Sequence, residues 1–174
     1  MGGEIWLDSE ISKGTTFHFT VPLLRSMDKK RQASTTLPKT ETLVVTDLQK
    51  MTILIAEDEE INFQYLKELL DSSNVTIIRA INGEEAVRIC RTVPEINLVL
   101  LDIKMPILNG YEAARQIKAF RNDLPIIAQT AYAMTDDREK AIRAGCNDYI
   151  SKPIEKRLLF EIINNTIKSN MLKI

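Results

Sequence analysis

From Thr52 onward, short apolar runs alternate five times with stretches in which apolar residues recur at helical spacing. The runs are nearly uninterrupted, which is typical of parallel strands that are buried on both faces. They lie at residues 53–56, 75–79, 98–101, 126–129 and 146–150, and the run at 75–79 has the most mixed pattern. This alternation predicts a right-handed βα repeat, an α/β fold in which helices cover both faces of one parallel sheet.

The stretches between and after the runs predict five helices, each with one apolar stripe that should face the sheet. Three of them have recognisable ends: one follows Asp58, one begins at residues 82–85, and one stops before Gly145. The expected core positions are Phe63, Leu66 and Leu70; Ala86, Cys90 and Val93; Ala113, Ile117 and Phe120; Ala141 and Ala144; and Leu159, Ile162, Ile163 and Thr166.

The N-terminal part of the chain has a different pattern. Residues 4–9 and 15–21 alternate apolar and polar positions around a turn at 12–14, as a β-hairpin does, although an isolated hairpin is marginal in water. Residues 25–50 are rich in Lys, Arg, Ser, Thr and Gln, which favours a mobile linker, with a short strand at 42–46 as the alternative. We therefore expect a hairpin at 1–24, a linker at 25–50 and an α/β domain at 51–170.

The composition excludes several classes of protein. With 44% apolar and 27% charged residues among 174, the chain has the composition of a globular protein. No apolar run approaches the roughly 18 residues of a membrane span and no secretory signal is present, so we expect a cytoplasmic segment without membrane contact. A net charge of −1 gives no basic footprint for nucleic acid. Cys90 and Cys146 are expected to be packing residues rather than a disulfide or metal ligands.

Polar side chains follow four of the five predicted strands, within two residues of the end of each apolar run. They are Glu57 and Asp58, Asp102, Thr130 and Lys152. Ligands of open parallel sheets gather at the carboxyl ends of the strands, so these side chains should meet on one rim. Three carboxylates this close would repel one another unless a cation lies among them. Oxygen ligands favour Mg²⁺, or Mn²⁺, with Asp58 and Asp102 as direct ligands.

The same side chains suit phosphoryl transfer, which depends on in-line positioning and charge neutralisation more than on a strong base. Asp102 would be the nucleophile, while the ammonium of Lys152 and the hydroxyl of Thr130 would each bind a phosphoryl oxygen. Taken singly, each residue has an ordinary explanation: Asp58 as a helix cap, Asp102 as a turn residue before Pro106, and Lys152 as a solvated side chain. Compatible groups at four strand ends favour the site over these separate explanations.

Four segments, ILIAEDEEIN, LVLLDIKMPILNGYEAA, PIIAQTAYA and GCNDYISKP, resemble the receiver domain of two-component response regulators. The resemblance implies a flavodoxin-like (βα)5 fold, a doubly wound five-stranded parallel sheet with strand order 2-1-3-4-5. It also implies that Asp102 accepts a phosphoryl group from a phosphohistidine donor, and that Glu57 and Asp58 form the acid pair of a metal site. Lys104 would supply a main-chain carbonyl to the metal. Many members have Asp in place of Glu57, but the longer acid also occurs at this position in the family and should reach the metal through water.

The resemblance further implies a conformational switch. Lys152 matches the lysine of the family, Thr130 would swing toward the phosphoryl group, and Tyr149 would turn inward. A partner would read the face formed by the fourth helix, the fifth strand and the fifth helix of the domain, which includes Ala133, Met134 and residues 150–156.

Two positions should set the lifetime of the phosphorylated state. Lys104 and Tyr132 stand two residues beyond Asp102 and Thr130, where residues flank the path of attacking water in receiver domains. Both side chains are bulky, so we expect them to shield the acyl phosphate and slow its hydrolysis.

The hairpin segment, MGGEIWLDSEISKGTTFHFTVPL, is similar to the last strands of the ATP-binding domain of histidine kinases. It lacks the boxes that hold nucleotide, and His18 is expected to be a surface strand residue without a role in phosphotransfer. Hairpin and receiver together resemble the C-terminal end of a hybrid sensor histidine kinase, in which any membrane anchor would lie upstream. The implied partners are a phosphohistidine donor, either a histidine kinase or a phosphotransfer domain, and a downstream phosphotransfer protein.

Three alternatives compete with a phosphoryl-accepting module. A binding-only pseudo-receiver that regulates a parent kinase would keep the fold without the chemistry, but all five site positions are filled. Metal-dependent phosphatases with an aspartyl nucleophile usually carry a second acid two residues later, where this chain has Lys104. A nucleotide site is disfavoured because neither G-x-G-x-x-G nor a P-loop string is present. As a catalyst, the chain is therefore expected only to phosphorylate and dephosphorylate itself.

Overall fold

A computed structural model of the chain describes residues 3–11, 13–20, 50–71, 74–131 and 135–171. These residues fall into two units, a short hairpin and a larger α/β domain. No helix in the described ranges has both the length and the apolar character that crossing a membrane requires. Most of the predicted linker lies outside these residues, and so do Tyr132, Ala133 and Met134.

The N-terminal unit is the predicted hairpin. Its strands, β1 (Ile5–Glu10) and β2 (Gly14–Phe19), pair antiparallel, with Ile5 opposite Phe19 and Leu7 opposite Phe17. The side chains of this apolar face are exposed within the described residues, up to 75% at Ile5. On the other face, the ring of His18 stacks on Trp6 at a centroid distance of 5.3 Å, in agreement with its prediction as a strand residue.

The larger unit contains a five-stranded parallel sheet in which the strands lie in the order β4-β3-β5-β6-β7. Its strands are β3 (Thr52–Ala56), β4 (Thr76–Ala80), β5 (Ile96–Asp102), β6 (Ile126–Thr130) and β7 (Asp148–Ser151). Counted within the domain, this is the predicted doubly wound order 2-1-3-4-5. The prediction was wrong about the start of the last strand. Cys146 precedes it and closes the preceding helix by donating its N–H to the carbonyl of Ala141, after Gly145 at φ +99°.

Five helices connect or follow these strands in the described part of the domain. They are α1 (Glu60–Asp71), α2 (Gly83–Thr92), α3 (Gly110–Phe120), α4 (Thr135–Arg143) and α5 (Lys156–Met171). Two of them begin at asparagine caps: the side chains of Asn82 and Asn109 accept hydrogen bonds from the N–H groups of Glu85 and Glu112. Each cap satisfies a helical N–H that would otherwise lack a partner, which fixes where the helix starts.

The sheet separates two apolar layers. Phe63 and Leu66 of α1 and Leu159 of α5 pack with Ile53 and Leu100 on one face. On the other face, residues of α2, α3 and α4 pack with Leu54, Val99, Leu101, Ile126 and Ala128. Alternate residues of each buried strand therefore serve opposite layers, which explains the nearly continuous apolar runs.

One predicted core position is wrong. Phe120 is the last residue of α3 and is 37% exposed, with the guanidinium carbon of Arg91 4.9 Å from the centre of its ring. The helical stripe reaches the end of the helix at this point, so the ring lies at the edge of the layer rather than inside it. Cation–π contact with Arg91 partly covers it.

Candidate functional site

The structure places Glu57, Asp58, Asp102, Thr130 and Lys152, the five residues predicted to meet on one rim, at the carboxyl ends of strands. Glu57 and Asp58 follow β3 directly, Asp102 and Thr130 are the last residues of β5 and β6, and Lys152 follows β7. Because the five strands are parallel, their carboxyl ends lie on the same side of the sheet. The fold thus gathers on one rim residues that are up to 95 positions apart in the chain.

Three carboxylates form the centre of the site. One oxygen each of Glu57, Asp58 and Asp102 lies within 4.8 Å of the other two. Glu57 is fully buried and Asp102 is only 6% exposed, whereas Asp58 is exposed to solvent. The cluster therefore has a buried floor and one open side, and its donors are all oxygens, which are the ligands that Mg²⁺ prefers.

The ammonium of Lys152 lies between two of these acids. Its Nζ donates to Oε2 of Glu57 and to Oδ2 of Asp102, both at 2.7 Å, and its backbone N–H donates to the carbonyl of Thr130 at 2.7 Å. The second oxygen of Asp102, Oδ1, accepts from the backbone N–H of Lys104 at 3.2 Å. Both oxygens of the predicted acceptor carboxylate are thus oriented by donors.

The ionisation of the buried pair follows from its surroundings. Burial raises the pKa of Glu57, and although hydrogen bonds from Lys152 and Asn62 oppose this, the net shift is upward. Burial alone would lower the pKa of Lys152, but the hydrogen bonds to Asp102 and Glu57 outweigh it and raise the pKa above its usual value. Lys152 is therefore charged at neutral pH and compensates the carboxylates beside it.

Two supporting residues were missed by the sequence analysis. The Asn62 amide donates to Oε1 of Glu57 at 3.1 Å from the first turns of α1. The guanidinium of Arg79 approaches the carbonyls of Glu57 and Asp58 at 3.5 and 3.4 Å, and lies over the ring of Phe63. Arg79 could have been found in the sequence, because it is a charged residue in the otherwise apolar run of β4. Asn62 had no such signal beyond its position one turn into a helix that follows the acids.

The predicted switch residues lie on β6 and β7. Thr130 is buried at the end of β6, next to a pocket of about 430 Å³ that is lined in part by Lys104, Tyr111 and Asp137. Tyr149 is half-buried against the core, with the guanidinium of an exposed arginine, Arg138, 5.8 Å from its ring centre. The roles of Thr130 and Tyr149 in switching stay predictions, as do the metal-binding carbonyl of Lys104 and the shielding role of Tyr132.

A doubly wound parallel sheet with an acid cluster at the carboxyl rim defines a receiver domain of the two-component phosphorelay class. The family model of the response regulator receiver domain matches residues 53–164, and the chain belongs to this family. This agrees with the resemblance found in the sequence.

Curated relatives include both hybrid kinases and single-domain regulators. The chain is 39% identical over 123 residues to hybrid signal transduction histidine kinase I of Dictyostelium discoideum, a match that covers 66% of this chain and 7% of that protein. It is 36% identical over 116 residues to the polar-differentiation response regulator DivK of Brucella anthropi, covering 65% of this chain and 93% of DivK. The similarity thus spans nearly all of a stand-alone receiver but a small part of a hybrid kinase.

Solved structures show the same fold. The receiver domain of sensor histidine kinase PA1611 from Pseudomonas aeruginosa, with magnesium coordinated in its active site cleft, is 34% identical. That match covers 68% of this chain and 98% of the other, with a TM-score of 0.63. The receiver domain of Ssk1 from Saccharomyces cerevisiae, in complex with the histidine phosphotransfer protein Ypd1, is 33% identical with a TM-score of 0.64. It covers 68% of this chain and 90% of that one.

Proposed function

We propose that this receiver domain accepts a phosphoryl group on Asp102 from a phosphohistidine donor. One observation carries the proposal: the carboxylate of Asp102, nearly buried at a strand end, has the Lys152 ammonium at 2.7 Å and two further acids within 4.8 Å. A carboxylate oxygen of Asp102 would attack phosphorus of a phosphohistidine whose other ring nitrogen is protonated, and the P–N bond would break with its electron pair going to the imidazole nitrogen. The products are then an aspartyl phosphate and a neutral histidine.

The oxygen donors of the rim fit Mg²⁺, or Mn²⁺ in its place. Asp58, Asp102 and the carbonyl of Lys104 would hold the ion directly, and Glu57 would reach it through water. When bound, the ion offsets the charge of the carboxylates and of the phosphoryl oxygens. The residues of the chain complete the site: Lys152 binds one phosphoryl oxygen through its ammonium, and the hydroxyl of Thr130 binds another.

Intact-protein mass spectrometry after treatment with acetyl phosphate and MgCl₂ tests the proposal. The unaltered chain should gain the mass of one phosphoryl group, and the gain should disappear with EDTA or in Asp102→Asn. Asp71→Asn is the matched control, because Asp71 is an exposed aspartate at the end of α1. Equal labelling of Asp102→Asn would show that another residue is the acceptor. Absence of labelling in the unaltered chain would favour a binding-only module that regulates a parent kinase.

We further propose that Thr130 and Tyr149 transmit the phosphorylated state to the face formed by α4, β7 and α5. The proposal is supported by the position of Thr130, whose carbonyl accepts the backbone N–H of Lys152, so that β6 and the lysine segment are coupled. Movement of the Thr130 hydroxyl toward a phosphoryl group would bias this two-state element. Thr130→Ala should therefore leave Asp102 labelling detectable but abolish the accompanying NMR shifts of α4 and β7.

Lys104 and Tyr132 are proposed to lengthen the life of the aspartyl phosphate by shielding it from water. The side chain of Lys104 is exposed beside the rim, while Tyr132 lies outside the described residues. The double variant Lys104→Ala, Tyr132→Ala should lose its phosphoryl group faster than the unaltered chain. A half-life in the unaltered chain no longer than that of the variant would contradict the shielding role.

The relatives suggest the setting in which such a domain acts. Because they include hybrid kinases, we propose a histidine kinase or phosphotransfer domain as the donor, and a phosphotransfer protein as a downstream partner. A cytoplasmic location is part of the same proposal, since the donor is made with cytoplasmic ATP. Phosphotransfer assays with candidate donors, with Asp102→Asn as the control, would identify the partner.

We also propose that the chain is divided into a kinase-derived hairpin at 1–24, a linker at 25–50 and a receiver at 51–170.

A further inference from the structure

The interior of the receiver contains a buried polar side chain that the proposed phosphoryl chemistry does not use. Gln129 is fully buried in β6, directly after the apolar residues Ile126, Ile127 and Ala128. Its backbone is paired, since its carbonyl accepts the N–H of Ile103 at 3.1 Å. Its side-chain Oε1 and Nε2 have no hydrogen-bond partner among the described residues. A buried amide without partners is costly, so water or a ligand is expected to satisfy it.

The direction of the Gln129 side chain follows from strand alternation and register. Ile127, two residues earlier on β6, packs in the layer of α1 and α5, so Gln129 faces the same layer. Gln129 is paired in register with Asp102 on β5 and with Ile150 on β7. Its side chain therefore points below the rim, into the layer under the acid cluster.

A pocket of about 120 Å³ lies in that layer. Its lining consists of Gln129, Lys152 and Asn62, with Tyr65, Leu66, Pro153 and Ile154 as the remaining wall. The proton of the Tyr65 hydroxyl is already used, because it is donated to the carbonyl of Ile154 at 2.7 Å. A space of this size holds several water molecules, and polar atoms on its lining are what buried water requires.

Lys152 connects this pocket with the acid cluster. Its ammonium has three N–H donors, and two of them bind Glu57 and Asp102. The third remains available for a hydrogen bond to water, and Lys152 is one of the residues that line the pocket. The amide of Gln129, which can both donate and accept, is suited to bind the same water.

We propose that Gln129 is a positioning residue that acts on Lys152 through water held in this pocket. The water accepts a hydrogen bond from the ammonium and in turn forms a hydrogen bond with the amide of Gln129. This arrangement holds the ammonium between Glu57 and Asp102 and limits its motion. Its consequence for phosphoryl binding rests on the proposed function, whereas the hydration of the pocket does not.

Gln129→Met tests the proposal, because methionine keeps the length of the side chain and removes both polar atoms. Gln129→Leu is a second variant, and Ile127→Met is the matched control on the same strand and face. Folding of each variant is checked by thermal unfolding of the full chain. Both Gln129 variants should keep the native fold, since each replaces an amide that has no partner among the described residues by an apolar group.

Three measurements then test whether Gln129 positions Lys152 through water. A high-resolution crystal structure of the unaltered chain should show water bonded to both Gln129 and Lys152. In ¹⁵N NMR spectra, the Lys152 ammonium signal should shift and its protons should exchange faster in Gln129→Met and Gln129→Leu, but not in Ile127→Met. Affinity for beryllium fluoride with Mg²⁺, a phosphoryl mimic, should fall by about two- to tenfold in the Gln129 variants.

A pocket without ordered water, or a Gln129 amide bound to another protein group, would overturn the proposal. It would equally be overturned by an unchanged Lys152 signal in both Gln129 variants. Failure of the proposed function is recognised separately, by the absence of Asp102 labelling in the unaltered chain. In that case the crystallographic and NMR measurements still decide whether Gln129 positions Lys152.

Discussion

Replacing Lys152 by methionine tests whether the acid cluster depends on an internal cation. The variant removes the ammonium that lies 2.7 Å from both Glu57 and Asp102, while it keeps an unbranched side chain in place. Glu57 would then be a fully buried carboxylate near a second, 6% exposed carboxylate. Without a divalent cation, losing one partner of such a buried pair should lower the free energy of unfolding by about 3–5 kcal/mol. That is a large part of the roughly 5–15 kcal/mol that a typical domain has.

Protonation and metal binding should both relieve the defect in Lys152→Met. Burial already raises the pKa of Glu57 against the effect of Lys152, so without the lysine this pKa should rise further. The native state would then keep a proton that the unfolded chain releases near the ordinary pKa of 4.5, and the free energy of unfolding should fall as pH rises above that value. The defect should thus be larger at about pH 8 than at about pH 5. A divalent cation that binds the native state raises the free energy of unfolding by about 2.7 kcal/mol when its concentration is a hundredfold above its Kd.

Urea unfolding followed by circular dichroism, in EDTA and in MgCl₂, measures these effects. Mg²⁺ should stabilise Lys152→Met more than the unaltered chain, because no ammonium competes for the carboxylates. Lys67→Met is the control, since Lys67 is an exposed lysine on α1. If Lys152→Met were as stable as the control in EDTA, or if its defect did not grow with pH, the electrostatic account of the site would be wrong.

Three further predictions concern Gly110, Arg79 and the two cysteines of the core. Gly110→Ala should destabilise the domain by about 1–3 kcal/mol in urea unfolding, because a Cβ there would lie 2.2 Å from the carbonyl oxygen of Asp102; an unchanged midpoint would contradict this. Arg79→Ala should weaken Mg²⁺ binding by about two- to tenfold in calorimetric titration, since each lost hydrogen bond to the acid-pair carbonyls is worth about 1 kcal/mol, and Arg79→Lys should lose less. Burial raises the pKa of Cys90 and of Cys146 from 9.0 to about 12, so their thiolate populations at neutral pH should be about a thousandfold below those of the unfolded chain. Alkylation should therefore be slow until urea is added, and rapid modification of the native chain would show that these thiols are accessible.

The position of the site could be predicted because it depends on where strands end. The apolar runs predicted that Asp102 and Glu57 lie at strand ends. Because the strands are parallel, those ends lie on the same rim of the sheet. The edge of the core layer, where Phe120 is exposed, was harder to predict. Phe120 continues the stripe of α3 in sequence, but the helix ends there, and the sequence pattern carries no information on where the neighbouring layer stops. Cys146 was assigned to a strand because apolar character does not distinguish a strand from the close of a helix.

Polar residues inside apolar runs show why the supporting residues could not be found in the same way. A polar residue after an apolar run is examined as a candidate site residue. A polar residue that is counted as part of the run is treated only as a member of the strand. Arg79 and Gln129 were counted as part of the runs at 75–79 and 126–129, and each is the last but one residue of its strand. Both are connected with the acid cluster: Arg79 through the carbonyls of the acid pair, and Gln129 through the pocket that it shares with Lys152. Burial of a guanidinium or an amide costs free energy unless the fold satisfies it. A polar residue in a buried strand near a strand-end acid therefore indicates a contact that supports the site. Arg79 and Gln129 are both examples.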